Sequence, residues 1–170
     1  MSQLRTAALV ATVNALCDRL QQAREPAMAL DAIGAATLQA IGPGLLTINA
    51  WHAGPAQIER LWSSNPSAYP VGGRKSKGDS AWRRQLLERG ELFIGEGDAA
   101  LAAVFDDVQV IRGLGCTAVV NVPLCCQSRV IGTFNYLADR SAWPVAELAA
   151  LRVLAALATP AVHALLAARG

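Results

Sequence analysis

Along this chain the spacing of apolar residues changes period several times. Leu9, Val13, Leu16 and Leu20 recur at helical spacing and predict an amphipathic helix over residues 4–23. Leu30, Ile33, Thr37 and Ile41 keep that period after Pro26, so a second helix is expected at about 27–41, stopped by Gly42-Pro43-Gly44. The period then drops to two. LLTINAW (45–51) and QIERLWSS (57–64) read as strands of a hairpin turned by HAGPA. NPSAYPVGGRKSKGD (65–79) reads as a long polar loop. Asp79 or Ser80 then caps the short helix AWRRQLLER, which ends at Gly90. ELFIGE is a short strand. LAAVFDDVQVIRGLG is helical in part, with Val108, Ile111 and Leu114 as its apolar spacing and Asp106-Asp107 as its cap. A second hairpin is predicted over 116–138. A last helix, capped near Ser141 with Pro144 in its first turn, runs to the end.

Helices at both ends and an antiparallel sheet between them make an α+β arrangement, read as a single domain over 1–170. Leu148, Leu151, Ala155, Val162 and Leu165 form a near-heptad stripe on the last helix, with Leu154 and Leu157 as a second flank. One flank can cover the sheet and the other can meet the same helix of a second subunit. A homodimer is therefore expected, with residues 1–24 contributing to its interface.

Side chains alternate across a strand, so each strand carries two lists. In the first strand Leu46, Ile48 and Ala50 form one list, continued by His52, and Thr47, Asn49 and Trp51 form the other. In AVVNVPLCCQSRVIGTFNYL (118–137) an asparagine interrupts each strand, at Asn121 and Asn135. A three-residue loop at Cys126-Gln127-Ser128 sets Cys125 opposite Arg129, Asn121 opposite Thr133 and Val119 opposite Asn135. Both asparagines then share a face, on the diagonal, whereas a two-residue loop would separate them. If helices cover the apolar lists, the opposite face displays Thr47, Asn49, Trp51, Asn121, Thr133 and Asn135, a set suited to a small polar ligand. The alternative is a group of buried amides satisfied by loop backbone or water.

Composition narrows the possibilities. Hydrophobic residues make up 53% of the 170 and charged residues 16%, with a formal charge of +2. Such a chain is globular and lacks the basic stripe of a nucleic-acid binder. The apolar run VLAALATPAVHALLAA has 16 residues, short of the ~20 that span a bilayer, and contains Pro160 and His163. No membrane segment is expected, and the protein is read as cytoplasmic. Cys17, Cys116, Cys125 and Cys126 show no C-x-x-C spacing, and only His52 and His163 offer imidazoles, so no metal site is expected. Whether a cofactor is bound is left unknown by the pattern.

GRKSKGDS (73–80) nearly matches a phosphate-binding loop, but Asp79 stands where its lysine would be. Arg74, Lys75 and Lys77 nevertheless precede a helix N-terminus, and Arg74 is the candidate partner for an acidic ligand group. Tyr69 and Trp82 flank that loop and can close over a ligand ring. The facing of Arg60 and Trp62 depends on the loop at 53–56, which the pattern leaves open. Cys116 and Cys125 stand at opposite ends of one strand, about 30 Å apart, so they cannot form a direct pair.

The order of elements, with VFDDVQVIRGLGCTAVVNVPL followed by RVIGTFNYL, resembles the GAF domain family over about residues 25–168. The resemblance implies an antiparallel sheet of five or six strands. Terminal helices would lie on one face and commonly pair two subunits; short helices and a small-molecule pocket would lie on the other. GAF domains mostly bind ligands and regulate something attached. Within the family, the stretch from Val122-Pro123 to Gly132 is similar to that of the free methionine-(R)-sulfoxide reductases. Their pocket carboxylates are replaced here by Val119, Asn135 and Leu137, and residues 65–115 hold no cysteine. The expected function is therefore sensing of a small polar or anionic metabolite, with regulation of a partner protein. An enzyme on the same scaffold and a ligand-free dimerisation module are the alternatives.

Overall fold

The helical periodicity at the N-terminus becomes two packed helices, α1 (Ser2–Gln22) and α2 (Pro26–Ile41). Proline opens α2, where its missing N–H is not needed, and Gly42 ends it with φ +117°. The computed structural model describes residues 2–169. Six strands follow: β1 (Leu45–His52), β2 (Gln57–Ser63), β3 (Arg74–Ser76), β4 (Phe93–Glu96), β5 (Ala118–Cys126) and β6 (Arg129–Ala138). They form one sheet in the order β3-β2-β1-β6-β5-β4, with every neighbouring pair antiparallel. Between β3 and β4 lies α3 (Ala81–Arg83), continued by a π turn over Arg84–Glu88. Between β4 and β5 lie α4 (Gly97–Ala102) and α5 (Val108–Gly113), and α6 (Val145–Ala167) closes the fold. Ser80 is the residue that caps α3, accepting a 3.1 Å hydrogen bond from the Arg83 N–H.

The apolar lists of the strands do face helices. Leu46, Ile48, Val120, Phe134 and Tyr136 pack with Leu30 and Ile33 of α2 and Leu151, Leu154 and Val162 of α6. Burying each such side chain is worth about 1.5–3 kcal/mol, which makes this layer the main source of stability. α6 has 23 residues, longer than the apolar run seen in the sequence, and is long and apolar enough by composition to cross a membrane. Here its inner side, from Ala150 to Val162, is buried on the sheet and α2.

Two irregularities decide which side chains face which way. The β5–β6 turn is a two-residue turn, Gln127-Ser128, with φ of 50° and 62° at both central positions. Cys126 pairs with Arg129 in the ladder, so it belongs to the strand and not to the turn. This corrects the three-residue loop. By itself the shorter turn would have sent Asn121 and Asn135 to opposite faces. A bulge between Leu124 and Cys125, with Ile131 as the extra residue, restores the parity. The asparagines therefore stand directly opposite one another, and Val119 is opposite Leu137. The second bulge lies in β2, where Ile48 pairs with Trp62 but Asn49 pairs with Arg60, leaving Leu61 as the extra residue. Trp62 turns toward α2 and donates a 2.7 Å hydrogen bond from Nε1 to Asp31, while Arg60 turns to the other face.

The expected loop over 65–79 is a loop only in part. Arg74–Ser76 adds an edge strand to β2, pairing Glu59 with Arg74 and Ile58 with Lys75.

Candidate functional site

The sheet face away from α2 and α6 is covered by the chain from Asn65 to Cys116. Two apolar clusters fill that layer. One contains Leu45, Tyr69, Leu101, Ile111, Cys116 and Leu137, and the other contains Trp51, Ile58, Trp82, Leu86 and Leu87. Across the strands runs a buried polar band made of Thr47, Asn49, Asn121, Thr133 and Asn135. Asn49 donates from Nδ2 to Thr133 Oγ1 at 3.0 Å and to Thr47 Oγ1 at 3.4 Å. Trp82 reaches from α3 to the sheet and donates from Nε1 to Asn121 Oδ1 at 2.9 Å. The structure thus brings Thr47, Asn49, Trp51, Tyr69, Trp82, Asn121, Thr133 and Asn135 to one layer.

Several polar atoms of that layer are buried without a well-aligned hydrogen-bond partner: Asn121 Nδ2, Asn135 Oδ1, Arg60 Nε, Tyr69 Oη and Asp107 Oδ1; of these, the Tyr69 hydroxyl lies within hydrogen-bonding reach of the Asp107 carboxylate and needs no outside partner. Buried polar groups are ordinarily paired, and each orphan costs about 1–3 kcal/mol. Asn121 is wholly buried and Asn135 is 8% exposed, so neither amide can turn freely to bulk water. Their orphan atoms are a donor and an acceptor on residues paired in the ladder.

Arg74 does not join this set. It pairs with Glu59 in register, so its side chain lies on the helix face, where Nη2 meets Glu59 Oε2 at 3.0 Å. The expectation that it lines the pocket is corrected by the edge strand, which fixes alternate facing on residues 74–76. Its neighbours carry the cations on the site face. Lys75 Nζ is 2.9 Å from Asp107 Oδ2, and Lys77 Nζ is 5.0 Å from the centre of the Trp82 ring. Arg60 stacks on Tyr69 at 4.7 Å and Arg83 lies 5.7 Å from Trp51. Burial, and then the charge of Lys75, lower the Lys77 pKa. Burial, and then hydrogen bonding to the Asp107 carboxylate and its charge, raise that of Tyr69. Burial alone would raise Asp107, but hydrogen bonding and charge from Lys75, together with the nearby Tyr69 hydroxyl, hold it below its usual value.

Asp107 precedes α5 as expected of a cap, but its side chain makes no capping bond and serves Lys75 instead. Arg60 and Asp107 are the members of the site that sequence reasoning missed. The adjacent apolar pair Leu61-Trp62, which breaks the alternation of β2, is the signal that could have placed Arg60. All four cysteines are free, with Cys116 buried and Cys125 exposed. Burial raises the pKa of both Cys116 and Cys125.

Two concavities lie off the band. One of about 400 Å³ is lined by Leu38, Pro43, Leu45, Ser64, Asn65 and Cys116, where Ser64 Oγ and Asn65 Oδ1 already accept backbone N–H bonds. One of about 500 Å³ lies between α6 and the chain around Gly90, with Pro123, Cys125 and Arg152 in its wall. Neither concavity is lined by the orphaned amides, so the unpaired polar atoms lie in the band and not in either of these spaces.

The band also makes a stability prediction. Asn135→Leu removes an unpaired carbonyl and is expected to raise stability by about 1 kcal/mol, about 2–4 °C in Tm. Asn121→Leu strands the Trp82 N–H and is expected to lower stability by about 1–3 kcal/mol. Thermal unfolding of both variants checks the opposite signs.

No protein-family model matches the chain, and no curated protein matches it. Solved structures do. The GAF domain of a phosphoenolpyruvate-protein phosphotransferase from Coxiella burnetii superposes with a TM-score of 0.77 at 15% identity, over 96% of this chain and 98% of that one. A phycoerythrobilin-bound GAF domain from a cyanobacterial phytochrome gives 0.67 at 15% identity, over 92% and 95%. Residues 122 to 287 of a methyl-accepting chemotaxis protein give 0.66 at 14% identity, over 90% and 96%.

Proposed function

From a chain with the GAF fold, we propose a sensory domain that binds a small polar metabolite between the sheet and the 65–115 segment. The observation that carries this reading is the group of orphaned buried polar atoms on one face, above all Asn121 Nδ2 opposite Asn135 Oδ1. A ligand that offers an acceptor beside a donor satisfies both. Asn49 is tied to Thr133 and sets the floor of the site, Trp51 and Trp82 provide apolar walls, and Lys77 takes the role first assigned to Arg74 toward an acidic group. The 65–115 segment packs closely over the band, so binding requires that cover to open and close. The bilin of the phytochrome domain and the chemotaxis protein among the structural neighbours favour sensing over a purely structural role. The same proposal includes pairing of two copies through the terminal helices and regulation of a partner protein. Exposed Val10 on α1 and Val153 on α6 support the pairing.

Native mass spectrometry of the purified protein tests both parts, with a dimer mass and a co-purified small molecule expected. A metabolite that raises the Tm of the wild type is expected to lose its effect in Asn121→Ala and Asn135→Ala. Unchanged ligand shifts in both variants would refute the site.

A further inference from the structure

We infer that the edge strand β3 is a relay that makes the grip on the end of α6 depend on whether the 65–115 cover is shut. The relay works through Glu59 on the helix face, and it rests on the site reading above only in taking that cover as the part that opens. Alternate facing puts Lys75 on the cover side of the sheet, with Nζ 2.9 Å from Asp107 Oδ2, just before α5. The same alternation puts Arg74 on the helix side, with Nη2 3.0 Å from Glu59 Oε2. Glu59 Oε1 is taken by Arg169, from the turn that follows α6. One short strand thus ties itself to the cover with one side chain and, with its neighbour, shares a carboxylate with the end of the last helix.

The strand is weakly held. Its three residues are exposed, and β2 is its one neighbour in the sheet. Its flanks add few bonds: the Arg60 N–H donates to the Gly73 carbonyl at 2.9 Å, the Gly72 N–H to the Arg60 carbonyl at 2.8 Å and the Lys77 N–H to the Ala56 carbonyl at 2.8 Å. Segments with exposed backbone bonds and few buried contacts are the first to open locally. Paired and unpaired β3 are therefore the two arrangements that a relay between distant groups requires.

Glu59 cannot serve both arginines fully. Its single negative charge faces two guanidiniums, and His52 Nε2 lies 2.9 Å from Oε2 as well. Arg74 and His52 together fill the lone pairs of Oε2, which confines Arg169 to Oε1. Arg74 and Arg169 also repel each other across the carboxylate. With the cover shut, Lys75 is anchored, β3 is paired and Arg74 takes its share. With the cover open, Asp107 leaves Lys75, β3 loses that tie and Arg74 withdraws. Glu59 then turns to Arg169, with an oxygen free for the two-bond fork that is the stronger arginine–carboxylate geometry. Opening the cover tightens the end of α6, and closing it loosens that end.

The test uses the full chain without ligand, so its outcome stands apart from the reading of the band as a binding site. Hydrogen exchange is followed by mass spectrometry in β3 and in residues 161–169. Asp107→Asn removes the charge that holds Lys75. It is expected to quicken exchange in β3 and to slow it at the end of α6, each by roughly two- to fivefold, the scale of partly exposed ion pairs. Arg74→Gln leaves the Lys75–Asp107 bridge whole and is expected to slow the end of α6 by a similar factor. Asp98→Asn breaks the ion pair with Arg112 that joins α4 to α5 in the same cover, and is expected to change neither segment. Opposite changes in the two segments cannot come from lower overall stability, which quickens both. Unchanged or faster exchange at the end of α6 in Asp107→Asn overturns the relay, even where Arg74→Gln slows it, because the carboxylate is then shared without a link across the sheet. An equal response to Asp98→Asn overturns it too, since loss of negative charge alone would account for the effect. If the relay holds while Asn121→Ala leaves every metabolite-induced melting shift intact, the site reading falls and the relay stands.

Discussion

Gly132→Ala is expected to cost about 3 kcal/mol of stability or more, among the largest effects of any single methyl group in this chain. A Cβ at this position would lie 2.2 Å from the carbonyl oxygen of Asn49 and 3.3 Å from Leu124 Cδ1. The obstacle is the backbone of β1, at the centre of the sheet, so no side-chain rotation relieves it. The cost comes from space and not from backbone angle, since Gly132 does not have positive φ. Parting β1 from β6 would also move Asn49, whose side chain holds Thr133, so the floor of the site should loosen with the sheet. Denaturant unfolding should show a lower midpoint, and Gly54→Ala, which meets nothing within 4 Å, should leave it within about 0.5 kcal/mol of the wild type. A Gly132→Ala protein as stable as the Gly54→Ala control would contradict the packing described for the β1–β6 ladder.

The same glycine shows what the sequence could and could not reveal. A glycine inside a strand marks a bulge or a close backbone approach, and here both occur within two residues. Its presence in RVIGTFNYL contributed to the family resemblance without disclosing the bulge at Ile131. That bulge is why the turn length was misread while the facing of Asn121 and Asn135 was read correctly. A three-residue loop, and a two-residue loop plus one bulged residue, give the same parity. Only the partner differs, Thr133 in one case and Asn135 in the other.

The helix positions were legible because apolar period and stop signals agree: Leu30 to Ile41 runs until Gly42, and Ser80 to Gly90 brackets a helix whose second half is a π turn. The polar band was legible because a strand with one covered face must display its other list. Arg60, Arg74 and Asp107 were not. The facing of Arg60 is set by a bulge in β2 and that of Arg74 by an edge strand of three residues, both too short to leave a periodic trace, and Asp107 looked like a helix cap but serves Lys75. One signal was available. Glu59 falls, by alternation with Ile58, on the side opposite the apolar cluster of Trp51 and Trp82. An acidic residue beneath helices requires cations, and Arg74 is the nearest one that an edge strand can deliver.

Glu59 also carries the second large effect. Its side chain is 7% exposed and receives three groups: His52 Nε2 at 2.9 Å, Arg74 Nη2 at 3.0 Å, and Arg169 from the end of α6. The carboxylate therefore joins β1, β3 and the turn that follows α6. Removing one member of a fully buried pair costs about 3–5 kcal/mol, but here the partner side chains of His52, Arg74 and Arg169 are 22%, 53% and 47% exposed and can regain water. Glu59→Gln is accordingly expected to cost about 1–3 kcal/mol. Hydrogen exchange should quicken in β3 and the end of α6 while the β1–β6 ladder keeps its protection. Arg169→Ala should quicken exchange at the helix end more than in β3, because Arg74 and His52 still hold the carboxylate. The pH dependence gives an independent check. Burial alone would raise the Glu59 pKa, but hydrogen bonds from Arg169 and His52 and the charges of Arg169 and Arg74 lower it. A carboxylate with a lowered folded pKa contributes its stability above the unfolded value, about 4.3, and loses it as pH falls through the folded one. The stability difference between wild type and Glu59→Gln should be full at neutral pH and shrink below about pH 4. A difference that stays constant down to acid unfolding would mean that the carboxylate's charge is not what holds α6 to the sheet edge.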